Sequence, residues 1–363
     1  MGFSPKAFTF AKKILMKKIV FVLSTLLVMT AACTAAAQDK TRAIRVTPQE
    51  EHYIFQLNPE VTRTHVYYDS RFGIEIAGDL YVAKDLDQSK KYPAIVIGPP
   101  YGGVKEQGPG VYANELAQRG FVVLTFDPAY HGYSGGEPRY TTSTMLYAED
   151  FCAGVDFLGT LPYVDREKIG SIGICGSGGF SICAASMDTR IKAVVTSAMY
   201  DISGSMTSMG SGPMRERMLQ GAAASRWAYV DSGEATVQYA YPDAPLDEVP
   251  DNIQGLNREW WTFYATKRGW HPNARTNSNS VSMADMMTFP GTHHIADISP
   301  RPILFITGDI AHSRSMSEEA YARAAEPKEL YVAQGNVMHI DLYDDVNKIP
   351  FDKIESFFKE NLK

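Results

Sequence analysis

The run Ile172-Gly173-Ile174-Cys175-Gly176-Ser177-Gly178-Gly179 sets two potential nucleophiles among small residues. An apolar stretch, residues 169–174, precedes it, and a helical pattern to about residue 187 follows. A small-x-nucleophile-x-small pattern at a strand-to-helix junction makes a tight turn that thrusts the nucleophile out at the helix start. Two frames fit: one centred on Cys175, the other on Ser177. Free N–H groups and the helix dipole at that position favour a thiolate, the reactive form of cysteine. Either residue would attack a carbonyl carbon and needs donors for the resulting oxyanion. Gly98-Pro99-Pro100-Tyr101-Gly102-Gly103 follows an earlier apolar strand. Its two prolines carry no N–H, so Tyr101 is its first available donor, and Gly176, next after Cys175, is the expected second.

A general base is expected after the last strand, where Gly335-Asn336-Val337-Met338-His339 places His339 in the order nucleophile, acid, histidine. The acid is less well marked. Gly308-Asp309-Ile310-Ala311-His312-Ser313-Arg314 has Ala311 at the third position after the glycine, where an aspartate is usual. Asp309 and Asp201 are the two alternatives for the partner of His339, with Asp201 marginally preferred because it follows the strand next after the nucleophile's. Asp341 is expected to point elsewhere. In Asp127-Pro128-Ala129-Tyr130-His131-Gly132, His131 is a possible lining residue of a mainly structural loop. His293 and His294 lack partners at metal-ligand spacing, and no metal or organic cofactor is expected. Cys152 and Cys183 are read as buried thiols, with a disulfide between neighbouring helices as the alternative.

The elements that must position these residues alternate regularly. Residues 62–69 and 74–83 are β-rich with a Phe72-Gly73 turn between them, which predicts an antiparallel hairpin. Short apolar strands are expected over 92–98, 121–126, 169–174, 191–199, 301–307 and 329–333, and helices over 111–119, 147–161, 317–325 and 351–362. Strands with helical crossovers demand a mostly parallel sheet with helices on both faces, here of eight strands. Residues about 202–298 break the alternation and are rich in Met, Tyr, Trp, Pro and Asn, as an inserted cap would be. Their methionines and Trp260, Trp261, Phe263 and Tyr264 are read as cap packing, with an adaptable methionine wall over the site as the sharper alternative.

The stretch 60–363 resembles the α/β hydrolases, and within them the dienelactone hydrolase-like group, which carries cysteine at the elbow. The resemblance rests on G-I-C-G-x-G-G at 173–179, Thr189-Arg190-Ile191-Lys192-Ala193, Met199-Tyr200-Asp201, Lys267-Arg268-Gly269 and Ala311-His312-Ser313-Arg314. In that pattern the lead-in Asp165-Arg166-Glu167-Lys168-Ile169-Gly170 counts forward to Cys175 rather than Ser177. The likeness implies an α/β-hydrolase fold and cleavage of a small-molecule ester, thioester or lactone. The group has an aspartate where this chain has Ala311, which leaves the acid open. It also keeps open a non-catalytic ligand-binding protein on the same scaffold; a serine peptidase is disfavoured, with no N-terminal gating domain in view.

Composition agrees with a globular enzyme. The chain has 363 residues, is 45% hydrophobic and carries a net charge of −6, with no basic stripe of the kind nucleic acid requires. Lysines 12, 13, 17 and 18 precede a 14-residue apolar run, 19–32, ending in small residues. This reads as an export signal, residues 1–37, cut after Ala35-Ala36-Ala37, followed by an N-terminal segment 38–59. A lipoprotein cut before Cys33 is the lesser alternative. Removing five lysines and no acids would leave an acidic periplasmic or secreted protein without a membrane span.

Overall fold

The computed structural model describes residues 52–209, 212–288 and 291–363. The export signal, Cys33 and most of the segment 38–59 lie outside the described residues. An eight-stranded sheet forms the centre, in the order β1-β2-β4-β3-β5-β6-β7-β8. β1 (Val61–Asp69) and β2 (Glu75–Ala83) are the expected hairpin, turning through Gly73 at φ 74°. β2 also runs antiparallel to β4 (Val122–Phe126). The remaining strands are parallel: β3 (Tyr92–Gly98), β5 (Val164–Ile174), β6 (Ile191–Ser197), β7 (Ile303–Gly308) and β8 (Lys328–Ala333).

Alternation along the strands sorts their side chains to two cores. In β3, Ala94 and Val96 face one side and Ile95 and Ile97 the other, as the two-residue period requires. The first core is closed by α2 (Thr144–Leu158), α3 (Ser177–Met187) and α8 (Arg314–Arg323) through Tyr147, Phe151, Phe180, Ile182 and Ala320. The second is closed by α1 (Gly108–Ala117) and α10 (Phe351–Asn361) through Val111, Tyr112, Phe357 and Phe358. Each large aliphatic or aromatic side chain so buried contributes about 1.5–3 kcal/mol of transfer free energy. α1 starts before residue 111 because Pro109 occupies its first turn, where a missing N–H costs nothing. Between β6 and β7 stand α4 (Ile202–Met209), α5 (Pro213–Ser232), α6 (Gly255–Tyr264), α7 (Met283–Thr288) and a 3-10 turn at Ile295–Ile298. Among the described residues no helix is long and apolar enough to cross a membrane. Cys152 and Cys183 are buried and free, so no disulfide joins their helices.

Strand register brings the chemical loops together. Gly98 pairs with Gly173 across β3 and β5, so the loop after β3 and the turn after β5 leave the sheet side by side. β6 is shorter than its sequence suggests. It ends at Ser197, and Ala198 takes a left-handed φ of 47° that turns the chain before Met199. The elbow after β5 is so tight that a Cβ on Gly173 would stand 2.1 Å from the carbonyl oxygen of Ser177, a backbone atom that cannot rotate away. Gly173→Ala is therefore expected to destabilise the fold by about 1–3 kcal/mol through overpacking, read as a lower urea midpoint with an unchanged slope.

Candidate active site

Cys175 is the residue at the elbow. Its φ is 53°, a left-handed conformation that L-residues other than glycine rarely hold. It is fixed by backbone bonds on both sides: Cys175 N–H donates to Ser197 O at 2.9 Å, and the Cys175 carbonyl accepts from Gly178 and Tyr200 N–H, both at 2.9 Å. The side chain is thereby aimed into a cavity of about 220 Å³. The backbone N–H groups of Tyr101 and Gly176 stand beside the sulfur and favour its ionised form. A Cβ on Gly176 would lie 2.8 Å from the Tyr101 Cβ, so glycine is what lets the two donor segments close on each other. Burial pushes the thiol up to about 11 despite these donors and the Tyr343 hydroxyl. The thiolate expected from the helix start is thus outweighed by desolvation in the free protein.

Ser177 is placed otherwise. It lies at the start of α3, is buried, and its hydroxyl donates to the carbonyl of Pro99. It forms no part of the wall of the cavity that Cys175 lines. Its hydrogen bond ties the elbow to the Tyr101 loop.

His339 is fully buried beside the cavity. Burial, with the neighbouring His312, holds its imidazole well below the ordinary histidine range, so the ring is neutral. Its Nδ1 lies 2.6 Å from Ser313 Oγ and its Nε2 3.0 Å from the Tyr343 hydroxyl. No hydrogen bond joins it to either expected aspartate. The turn at Ala198 carries Asp201 away: its carboxylate accepts from Gly204 N–H at 2.9 Å and from Thr292 Oγ1 at 3.1 Å. Asp309 accepts the N–H groups of Gly335, Asn336 and Val337 at 3.1, 3.1 and 2.6 Å. It clasps the loop that carries His339 without reaching the ring. Gly308 serves the same contact, since a Cβ there would meet Val337 O at 2.1 Å. Asp341 does point elsewhere, to Met338 N–H and Lys348.

Around His339 the structure adds residues that the sequence reading did not single out. His312 stacks on it at 4.5 Å between ring centroids. Glu259 receives His312 Nδ1 at 3.1 Å and the Ile340 N–H at 3.3 Å. Trp260 packs edge-on against both histidines. Trp260 and Tyr264, expected only to fill a cap, line the cavity together with Tyr101, Tyr200, Tyr241 and Tyr343. Ile202 and Met206 complete its apolar wall, and Asn277 and Ser205 are its polar members. Among the described residues, Met206 is the one member of the methionine cluster in that wall. His131 is buried outside the cavity, against the carbonyls of Ala129 and Asn277. His293 and His294 pack edge-on against each other, and among the described residues no cluster of ligating side chains could hold a metal ion.

The Tyr101 loop rests on a buried charge cluster. Lys105 is fully enclosed, donates to the Glu106 carboxyl, and lies 3.7 and 4.0 Å from Asp127 and Asp79. Asp127 also accepts the N–H groups of Lys105 and Tyr133, both at 2.8 Å. Tyr53 and His65 bond Asp79, each at 2.7 Å. Burial, and then the charge of Asp127, push the Glu106 carboxyl well above the usual carboxylate range. Its Oε2 has no hydrogen-bond partner among the described residues.

The mostly parallel sheet, the cysteine at the sharp turn after β5 and the histidine after the last strand are those of an α/β hydrolase, and the chain belongs to that superfamily of enzymes. Residues 79–200 match the dienelactone hydrolase family. The chain is 43% identical to the uncharacterized protein PA2218 of Pseudomonas aeruginosa, over 92% of this chain and 90% of that protein. The crystal structure of that relative superposes with a TM-score of 0.81 at 42% identity, covering 88% of this chain and all of that one. The uncharacterized protein YcjY of Escherichia coli is 32% identical over 80% of this chain and 95% of its own length. The thiohydrolase aneE of Aspergillus aculeatus is 27% identical over 68% and 76%.

The two aspartates should separate in solution from the groups at the cavity. Asp201→Asn and Asp309→Asn are each expected to leave turnover within a few-fold. Three backbone donors hold the Asp309 carboxyl below its ordinary value, so its contribution to stability is present above the unfolded pKa of about 3.9 and is lost as pH falls through the lower folded value. Urea melts of Asp309→Asn should show a deficit at pH 7 that closes below about pH 4; a deficit that persists there would disprove the clasp.

Proposed function

We propose that this protein is a cysteine-dependent acyl hydrolase that cleaves esters or thioesters with small apolar acyl groups. The observation that carries the reading is the placement of Cys175, at a left-handed φ in the sharp turn after β5, in the wall of an aromatic cavity with the backbones of Tyr101 and Gly176 packed together beside it. In this reading the sulfur, once deprotonated, attacks the carbonyl carbon. The C=O π electrons move to oxygen, and the two N–H groups, fixed beforehand, stabilise the charge that develops there. Collapse of the tetrahedral adduct breaks the bond to the leaving oxygen or sulfur, which takes the proton that His339 gained. Water then attacks the acyl-cysteine thioester, His339 accepts its proton, and the acid leaves with the thiol restored.

The lining supports an apolar acyl group, because six aromatic side chains, Ile202 and Met206 face the cavity and, among the described residues, no formally charged side chain does. A volume of about 220 Å³ suits a short chain or a single ring rather than a long lipid. The relative named a thiohydrolase supports thioesters among the substrates. Cysteine suits such a site, since it is intrinsically far more nucleophilic than serine.

With p-nitrophenyl butyrate and a butyryl thioester as probes, Cys175→Ala should lower kcat by about 10⁴-fold or more, whereas Ser177→Ala should retain turnover within about tenfold and lose about 1 kcal/mol of stability with its hydrogen bond. Undiminished turnover in Cys175→Ala, with loss in Ser177→Ala, would transfer the nucleophile to Ser177.

A further inference from the structure

The base and the nucleophile are joined by a third side chain. Tyr343 is fully buried, its hydroxyl is 3.0 Å from His339 Nε2, and its side chain lines the cavity together with Cys175 and Tyr264. The position is enforced from several sides. Tyr343 lies in α9 (Asp341–Asp344), and the N–H groups of Leu342 and Tyr343 donate to the carbonyls of His339 and Ile340 at 3.3 and 3.1 Å, so the turn entering that helix holds His339 and Tyr343 close together. The ring of Phe263 packs edge-on against it at 5.1 Å. Arg268, bonded to Asp344 and Asp341, fastens that helix to the segment after α6.

We propose that Tyr343 is a catalytic proton relay between Cys175 and His339, replacing direct contact between nucleophile and base; this rests on Cys175 being the nucleophile. As the thiol attacks, its S–H bond breaks and the proton goes to the Tyr343 oxygen, while the Tyr343 O–H bond breaks and that proton goes to His339 Nε2. The products are a thiolate and an imidazolium, with tyrosine neutral before and after. The reverse transfer delivers the proton to the leaving group. The imidazolium keeps its Nδ1–H toward Ser313 Oγ, a neutral acceptor where a carboxylate is usual. His312, backed by Glu259, stacks on the other face of the ring. Tyr264 and Tyr241 face the sulfur from the segment between β6 and β7. Burial disfavours the thiolate, the tyrosinate and the imidazolium alike. A concerted shift of two protons avoids isolating a tyrosinate at all, and the charges it creates neutralise each other across one phenol group.

The test uses the intact protein with p-nitrophenyl butyrate and, independently of turnover, iodoacetamide alkylation of the Cys175 peptide read by mass spectrometry from pH 6 to 10. Tyr343→Phe, which keeps the ring and removes only the hydroxyl, should slow acyl-enzyme formation about 10²-fold or more and move the alkylation profile to higher pH. His339→Asn should do the same, and the double variant should add little further, as groups acting as one unit do. In wild-type protein the acylation rate should curve downward against the deuterium fraction of the solvent, as two protons in flight require. Turnover in Tyr343→Phe within threefold of wild type and an unchanged alkylation profile would overturn the relay, as would a linear isotope plot in the wild type. Loss of activity in Cys175→Ala alongside either result would leave the acyl-hydrolase reading standing; full turnover in Cys175→Ala would remove both.

Discussion

The site depends on one strained residue. Cys175 has to hold a left-handed φ, at a cost of order 1–3 kcal/mol for a residue with a side chain, and the surrounding structure over-determines that conformation. β6 accepts its N–H, the first turn of α3 donates to its carbonyl, and Tyr200 donates to the same oxygen. Gly173 and Gly176 provide the space on either side. The register of Gly98 against Gly173 then brings the Tyr101 loop to the sulfur. The exposed position of Cys175, the close approach of Tyr101 to Gly176 and the place of both loops at the cavity all follow from a single sharp turn between a strand and a helix.

The chemistry around that turn is kept neutral. Tyrosines and a tryptophan replace the charged groups that a hydrolase site often exposes, and the histidine meets hydroxyls on both nitrogens. A carboxylate does stand nearby, but Glu259 orients His312, and through it a stacked ring, without touching His339 itself. In the proposed reaction the low dielectric would strengthen the Tyr101 and Gly176 donors at the moment charge develops on the substrate. The same burial keeps the resting thiol protonated, which limits adventitious oxidation and alkylation of a residue that would otherwise be among the most reactive in the chain.

Much of this could be read from the amino-acid order, because it is local. The sheet and its hairpin follow from apolar runs and turn residues, and the pairing of Tyr101 with Gly176 follows from two loops at the ends of adjacent strands. The acid could not be found that way. Its position is set by where Ala198 bends the chain and by how residues 309–313 wrap onto the loop of His339, and both are tertiary facts. Asp309 was drawn to three backbone donors, while Ser313, an unremarkable helix-start serine in sequence, took the ring nitrogen. Tyr343 did leave a signal: a tyrosine four residues after the histidine, at a spacing that makes neighbours on a helix. Trp260 and Tyr264 gave none to separate cavity wall from packing, since both roles select the same aromatic residues.

The charge cluster under the Tyr101 loop has a consequence for the whole molecule. The folded chain grips a proton on Glu106 that the unfolded chain gives up at the ordinary carboxylate pKa. Over the interval between those two affinities the native state binds more protons than the denatured one, so this residue erodes stability as the solution becomes more alkaline. The direction is opposite to that of Asp309, which falters only in acid. The loop that carries Tyr101 to the elbow therefore stands on ground that weakens between the ordinary carboxylate pKa and about 8, so its footing is firmest in mild acid and has already eased before the Cys175 thiol begins to ionise.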